Sequence, residues 1–335
     1  MEFILTTRAD VAKLAGVSES TVSYVLSGKR SISEKTKKRV LEAIKTSGYK
    51  SNYAAAALAG GNSKVVTMMI SNLFTTPSSR INGALVEGIV DGVSAHGYHG
   101  VIWPVSDNDD TDVDSLLKSN FSGGVILMNV KENDQRVQLF NRENIPFVVL
   151  GRTQVDFAYN YVDRDFREVE ITAISHLVDF GHEHIGVLVS NFGLTSHLKE
   201  VASKFKTKLH LIDVPNTPEG GANLSSIIRD KYPKVTAIIS FLDAATIGFL
   251  EKAHESGLRI PEDLSIIGVN ILETQATATL PPLTTVLFDA YEMAKSCGEL
   301  LVEVMENSKA SKPQGRLWTG ELKIRATVAK VRDSK

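Results

Sequence analysis

Glu19, Ser20, Ser23 and Tyr24 are spaced so that they share the outward face of one short helix. A carboxylate, two hydroxyls and a phenol so arranged suit hydrogen bonding to base edges better than proton transfer. Glu19 would accept from a cytosine amino group, Ser20 could adapt to either partner, and Tyr24 completes the set. Lys29, Arg30, Lys35, Lys37, Lys38 and Arg39 follow, cations suited to phosphate, although those on the far side of the next helix read equally as solvated charge. Enzyme signatures do not survive inspection. Gly16-Val17-Ser18-Glu19-Ser20 lacks the last glycine of a nucleophile elbow, and neither G-x-G-x-x-G nor G-x4-G-K-[ST] occurs. Asp107-Asn108-Asp109-Asp110-Thr111-Asp112 carries Asp where a calcium loop needs Gly, and Lys118 where it needs Glu.

Three short helices must position the outward set. Thr7 and Asp10 form a capping-box variant before a helix with Val11, Leu14 and Ala15 at helical spacing, which stops at Gly16. Ser18 caps a second helix with Val22, Val25 and Leu26 inward, and Ser33 caps a third with Val40, Ala43 and Ile44 inward, closing at Gly48. Two helices joined by a tight glycine turn and braced by a third make a helix-turn-helix head, whose second helix enters the major groove.

Charge supports a polyanionic partner for that head. Residues 1–64 hold eleven Lys and Arg against five Asp and Glu, the remainder 26 against 34, within a net charge of −2 for 335 residues. The length predicts two or three packed units, and 43% hydrophobic with 23% charged residues fits a globular protein. One cysteine, Cys297, excludes a disulfide framework. The acid at Glu2 and the short apolar run after it do not make a signal peptide, and nothing approaches a membrane span, so a cytoplasmic protein is expected.

Asp10-Val11-Ala12, Ala15-Gly16-Val17-Ser18, Thr21-Val22-Ser23, Ser33, Thr36, Val40, Gly48-Tyr49, Asn52 and Leu58 resemble, without a gap, the head of the lactose-repressor/galactose-repressor (LacI-type) transcription regulators. The resemblance implies DNA contacts by Thr7, Ser18, Thr21, Ser23, Ser33, Thr36, Tyr49, Asn52, Ala55 and Leu58 beside the base readers Glu19, Ser20 and Tyr24. Asn52 to Gly61 reads as a capped, alanine-rich helix too short to persist alone. The resemblance makes it a hinge helix that orders on DNA and wedges Leu58 between minor-groove base steps; an inert linker is the alternative. Ala56 stands where relatives often carry Arg or Gln.

From Lys64 onward, apolar runs alternate with amphipathic stretches: Val65–Ile70, Val101–Trp103, Val125–Met128, Phe147–Leu150, Ile185–Val189, Leu209–Ile212, Ala237–Phe241 and Leu264–Val269. Such runs predict parallel strands buried on both faces. The resemblance continues through Leu177 to Gly186, Gly257 to Ser265 and Pro281 to Val286. The expected fold class is α/β: a helix-turn-helix DNA-binding head (1–50), a hinge helix and linker (51–63), and a two-lobed periplasmic-binding-protein-like core of doubly wound parallel sheets (64–335). Its lobes would span 64–162 with 290–319, and 163–289 with 320–335, crossing near Asp163, Asp289 and Gly320.

Ligands of open α/β sheets sit at the carboxyl ends of the strands. Ser71, Asn72, Ser78, Ser79, Trp103, Asn129, Arg152, Asn191, Phe192, Asp243 and Asn270 therefore fall at or near the pocket. Trp103 is either a stacking platform or core, and Arg152 either binds effector or pairs with an inter-lobe acid. His197 to Val201, Leu242-Asp243 and Gly268-Val269-Asn270 replace segments that carry Arg and Asp in many sugar-sensing relatives, which weakens a sugar as effector. A sugar, sugar phosphate or nucleoside remains the candidate class. Gly181-His182 matches a turn of the family, so His176, His182 and His184 are not expected to hold a metal, and no cofactor is expected. A regulator acting as a homodimer, a solute-binding transport protein and an enzyme are the three readings; the basic head favours the first, and no heptad-spaced leucines follow Arg325 to make a larger assembly.

Overall fold

The computed structural model describes residues 7–27, 30–49, 63–71, 79–106, 111–119, 121–190, 195–307 and 312–331. The expected hinge, with Asn52, Ala55 and Leu58, and the expected pocket residues Asn72, Ser78, Asn191 and Phe192 lie outside these residues.

The head is α1 (Arg8–Ala15), α2 (Glu19–Ser27) and α3 (Glu34–Ser47). Thr7 caps α1 in a full capping box: its side chain accepts from the Asp10 amide, and the Asp10 carboxylate accepts from the Thr7 N–H at 2.8 Å. The Thr7 hydroxyl also donates to Asp10 Oδ2 at 2.6 Å, and this bond with that from the Thr7 N–H holds the Asp10 carboxyl below its ordinary range. Gly16 ends α1 at φ +61°, a left-handed conformation that only glycine takes freely. Arg39 of α3 reaches back to this turn, donating to the Ala15 and Gly16 carbonyls. A cation there satisfies orphan carbonyls and meets the negative end of the helix dipole. The head's core is Val11, Ala12, Ala15, Val22, Val40 and Ala43, with Val25, Ile44 and Tyr49 packed on it. Two expectations are corrected here. Leu14 is 56% exposed, because burying Ala12 turns the residue two positions on to another face. Leu26, expected inward, is 41% exposed in the last turn of α2.

Two six-stranded sheets form the remainder. The first holds β1 (Val65–Ser71), β2 (His99–Val105), β3 (Gly124–Leu127), β4 (Phe147–Leu150), β5 (Tyr161–Arg164) and β11 (Gly315–Trp318), in the order β11-β5-β4-β3-β1-β2. The second holds β6 (His184–Val189), β7 (Lys208–Asp213), β8 (Ala237–Ser240), β9 (Ser265–Val269), β10 (Thr284–Leu287) and β12 (Glu321–Lys323), in the order β12-β10-β9-β8-β6-β7. The helices are α4 (Ser79–Ser94), α5 (Thr111–Ser119), α6 (Gln135–Arg142), α7 (Phe166–Asp179), α8 (Thr195–Phe205), α9 (Pro218–Ala222), α10 (Leu224–Lys231), α11 (Asp243–Glu255), α12 (Glu273–Ala278) and α13 (Ala290–Glu306).

The chain leaves the first sheet after β5, returns through α13 after β10, and crosses once more between β11 and β12. Central strands β1, β3, β4, β8 and β9 are buried along their length, which explains their near-continuous Val, Ile and Leu. β2 and β7 are edge strands with exposed residues, not the doubly buried strands expected at Val101–Trp103 and Leu209–Ile212. β12 also departs from an all-parallel sheet: Thr285 pairs with Lys323 antiparallel, at the edge of the second sheet. In the first lobe α13 lies directly on α4. A Cβ on Gly88 would come within 2.2 Å of the Tyr291 carbonyl, so the glycine is what lets these backbones touch.

Candidate functional site

Two places gather polar groups that the fold alone does not require. The first is the start of α2. Ser18 Oγ accepts from the Thr21 amide at 3.2 Å and lies 2.7 Å from Ser20 Oγ and 2.9 Å from Thr21 Oγ1. Glu19 and Ser20 are exposed, Ser23 and Tyr24 half-buried, and the Arg30 guanidinium sits 5.7 Å from the Tyr24 ring centre. Ser33 repeats the motif at α3, accepting from the Thr36 amide at 3.3 Å. The helix starts thus carry hydroxyls already aligned by local bonds, at the positive end of each helix dipole, which suits an anion. Thr7 is bound within its capping box, and Tyr49 is half-buried on the head's core. Among the basic residues, Arg39 is committed to α1 and Lys37 lies 3.7 Å from Glu34, so the cationic set is smaller than the sequence suggested.

The second place is a cavity of about 680 Å³ between the lobes, at the carboxyl ends of β3, β4, β5 and β9. Asn129, Arg152 and Asn270 line it. Asn129 and Asn270 both adopt positive φ, 51° and 63°, which turns the chain sharply at the strand end; Asn129 also donates to the Ser71 carbonyl at 2.8 Å. Arg152 Nε donates to Asp163 Oδ2 at 2.7 Å, a half-buried pair within one lobe. Thr153 beside it is fixed by Tyr159, whose hydroxyl accepts from the Thr153 amide and donates to its carbonyl. Burial pushes the Tyr159 hydroxyl's pKa up, so it stays a donor. Leu85, Phe166, Phe288 and Met293 supply apolar wall.

Three expected pocket residues are not part of this wall. Ser71 is buried at the end of β1, and Trp103 is half-buried on the edge strand β2. Asp243 is the largest correction: buried at the first position of α11, its carboxylate accepts from Asn216 Nδ2 at 2.9 Å, while Asn216 Oδ1 accepts from the Ala244 and Ala245 amides. Its oxygen is spent fastening the start of a helix. Ser79 is the first residue of α4. Sequence reasoning missed Arg164, Phe166 and Phe288 as cavity residues, because Tyr161–Arg164 is too short and polar to read as a strand.

The three histidines go separate ways. His182 Nε2 donates to the Ala329 carbonyl at 3.1 Å, leaving Nδ1 to accept from Thr236 Oγ1 at 2.9 Å. His176 packs on Phe180 with the rings tilted at 46°, and His184 meets His210 at 3.0 Å. Among the described residues no group of three His, Cys, Asp or Glu gathers as a metal site. No helix among them is long and apolar enough to cross a membrane.

Residues 7–52 match the model of bacterial regulatory proteins of the lacI family, and residues 174–328 match that of a periplasmic binding protein-like domain. The HTH-type transcriptional repressor PurR of Actinobacillus pleuropneumoniae serotype 3 (strain JL03) is 29% identical over 97% of this chain and 98% of its own length. Among solved structures, the lac repressor dimer bound to operator and an anti-inducer superposes with TM-score 0.79 at 21% identity, covering 97% of this chain and 99% of that one. A complex of the transcriptional regulator CelR with cellobiose gives TM-score 0.70 at 24% identity, covering 96% and 99%. With its capped helical head and its two parallel-sheet lobes, the chain joins a lacI-family regulatory domain to a periplasmic binding protein-like domain and is a DNA-binding transcriptional regulator.

Proposed function

We propose that this regulator is a cytoplasmic repressor, not an enzyme, that binds a pseudo-palindromic operator as a homodimer and releases or tightens its hold when a small molecule enters the cavity between the lobes. The observation that carries the DNA half is the hydroxyl-lined start of α2, where Glu19 and Ser20 are exposed on a helix locked by Ser18. Glu19, Ser20 and Tyr24 read base edges; Ser18, Thr21, Ser23, Ser33 and Thr36 grip phosphate; Thr7 and Tyr49 hold the helices in place. Asn52, Ala55 and Leu58 act through the hinge at 51–63, between a head of residues 1–50 and a core of 64–335.

Asn129, Arg152 and Asn270 bind the effector. The likeness to a regulator solved with cellobiose supports a small-molecule ligand for the cavity, while the replaced Arg and Asp segments argue against an unmodified sugar. An effector shifts DNA affinity only by its differential affinity for two lobe arrangements, commonly 1 to 3 kcal/mol.

The test is fluorescence anisotropy on duplexes selected by the full-length protein. Each phosphate neutralised contributes about −0.9 to the slope of log K against log salt, so affinity should fall steeply from 50 to 200 mM salt. Glu19→Gln or Tyr24→Phe should change operator preference by roughly 1 to 3 kcal/mol per lost base contact. Equal weakening on all sequences would make these residues backbone contacts, and a salt-independent affinity would overturn the reading.

A further inference from the structure

Arg164 ends β5 in the wall of the cavity. Its backbone N–H donates to Asp163 Oδ1 at 2.8 Å, but the other Asp163 oxygen is taken by Arg152. Among the described residues no carboxylate and no carbonyl accepts from the Arg164 guanidinium. What surrounds it is aromatic: its Cζ lies 4.9 Å from the centre of Phe166 and 6.0 Å from that of Phe288, and all three residues line the cavity.

That arrangement differs from an ordinary buried arginine. A guanidinium remains charged inside a protein, even though burial here pulls its pKa downward, and a desolvated charge needs compensation. Aromatic faces return part of it, yet they satisfy none of its five N–H donors. Stacking engages the faces of the guanidinium plane and leaves the N–H edge, the fork that matches an oxyanion in two parallel hydrogen bonds.

The charges around it sharpen the point. The cavity is lined by Arg152, Arg164, Asp163 and Glu132. Asp163 and Arg152 neutralise each other at 2.7 Å, and Glu132 is exposed with its Oε1 accepting from Gln154 at 3.0 Å. Among the described lining residues Arg164 is the cation without an ion-pair partner, and it lies beside Phe166 and Phe288, where low polarity strengthens any charge-assisted bond. We propose that the cavity takes a small ligand bearing a phosphate or carboxylate, and that Arg164 binds that oxyanion while the phenyl rings hold its guanidinium in place. This rests on the reading of the cavity as the effector site.

The experiment is calorimetric titration of the full-length protein at fixed ionic strength, with glucose 6-phosphate, gluconate and AMP set against glucose and adenosine. Wild type should bind at least one charged probe ten-fold or more tighter than its neutral partner; a preference for glucose 6-phosphate and AMP identifies phosphate, one for gluconate identifies carboxylate. Arg164→Gln should remove that preference, and Arg164→Lys should keep part of it by retaining charge without the fork. Should Arg164→Gln fail to fold, Phe166→Leu and Phe288→Leu take its place, and each should weaken the charged probes more than the neutral ones. Equal binding of charged and neutral probes, no binding of any charged probe at millimolar concentration, or an unchanged preference in Arg164→Gln overturns the inference. DNA affinity measured alongside separates the two ideas. Arg164-dependent anion binding that leaves DNA affinity unchanged upholds the anion site and defeats the effector reading. A neutral probe that alters DNA affinity equally in wild type and Arg164→Gln does the reverse.

Discussion

The head and the cavity between the lobes solve opposite problems of placement. In the head the capping hydroxyls are fixed by neighbours three residues away: Thr7 by Asp10, Ser18 by Thr21, Ser33 by Thr36. Its core is six small residues, Val and Ala only. In the cavity, Asn129, Arg152, Arg164 and Asn270 come from the ends of four strands and meet only because two sheets are complete. The head is therefore a locally specified surface on a thin core, and the cavity a non-locally specified site on thick ones. Small cores leave little margin, so the head should be the weaker unit.

The sharpest way to break that contrast is to injure each core separately. Val22→Asp puts a charge into the fully buried centre of the head and should cost on the order of 4–5 kcal/mol, unfolding the head and abolishing DNA binding. Phe249→Ala, in the second lobe, should cost about 3–5 kcal/mol there and leave the amides of residues 8–47 as protected as before. Hydrogen exchange followed by mass spectrometry reads both, and loss of protection throughout the chain in either variant would show that the units do not melt independently.

Next in size is a pH effect confined to the lobes. Glu170 is buried in α7, its Oε2 without a hydrogen-bond partner among the described residues, and burial pushes its carboxyl up to about 7 from an ordinary 4.5. A raised carboxyl is favoured protonated in the fold, so its contribution is complete below pH 4.5 and is lost as pH rises through 7. The loss is on the order of 3 kcal/mol. Glu170→Gln should gain stability over wild type at pH 8 and lose that advantage at pH 5. Denaturant titration of the lobe at both pH values checks it; an advantage equal at the two would refute the assignment.

The smallest effect refines the head. Arg39→Ala removes the bonds to the α1 carbonyls and should lower head stability by about 1 kcal/mol, with no change in the lobes. A variant that weakens DNA binding while exchange in the head is unchanged would return Arg39 to the phosphate contacts.

What could be read from the sequence follows the same divide. The head's caps, turn and three helices were legible because capping and periodicity act over three or four residues; Leu14 and Leu26 failed because apolar spacing does not say which residue of a pair faces inward. The central strands were legible through their apolar runs, whereas β5, β10, β11 and β12 were missed as short and polar. In the cavity Asn129, Arg152 and Asn270 followed from strand ends. Asp243 misled because its partner Asn216 lies 27 residues away, and Arg164 stayed hidden with the strand that carries it.

On this reading the head recognises a specific DNA sequence as a pair. Selection from a pool of random duplexes by the full-length wild-type protein, with the enriched duplexes sequenced, tests that most directly. The expected outcome is one motif of two inverted half-sites, their centres about one helical turn apart. Enrichment of no motif, or of an unrepeated single half-site, would contradict it.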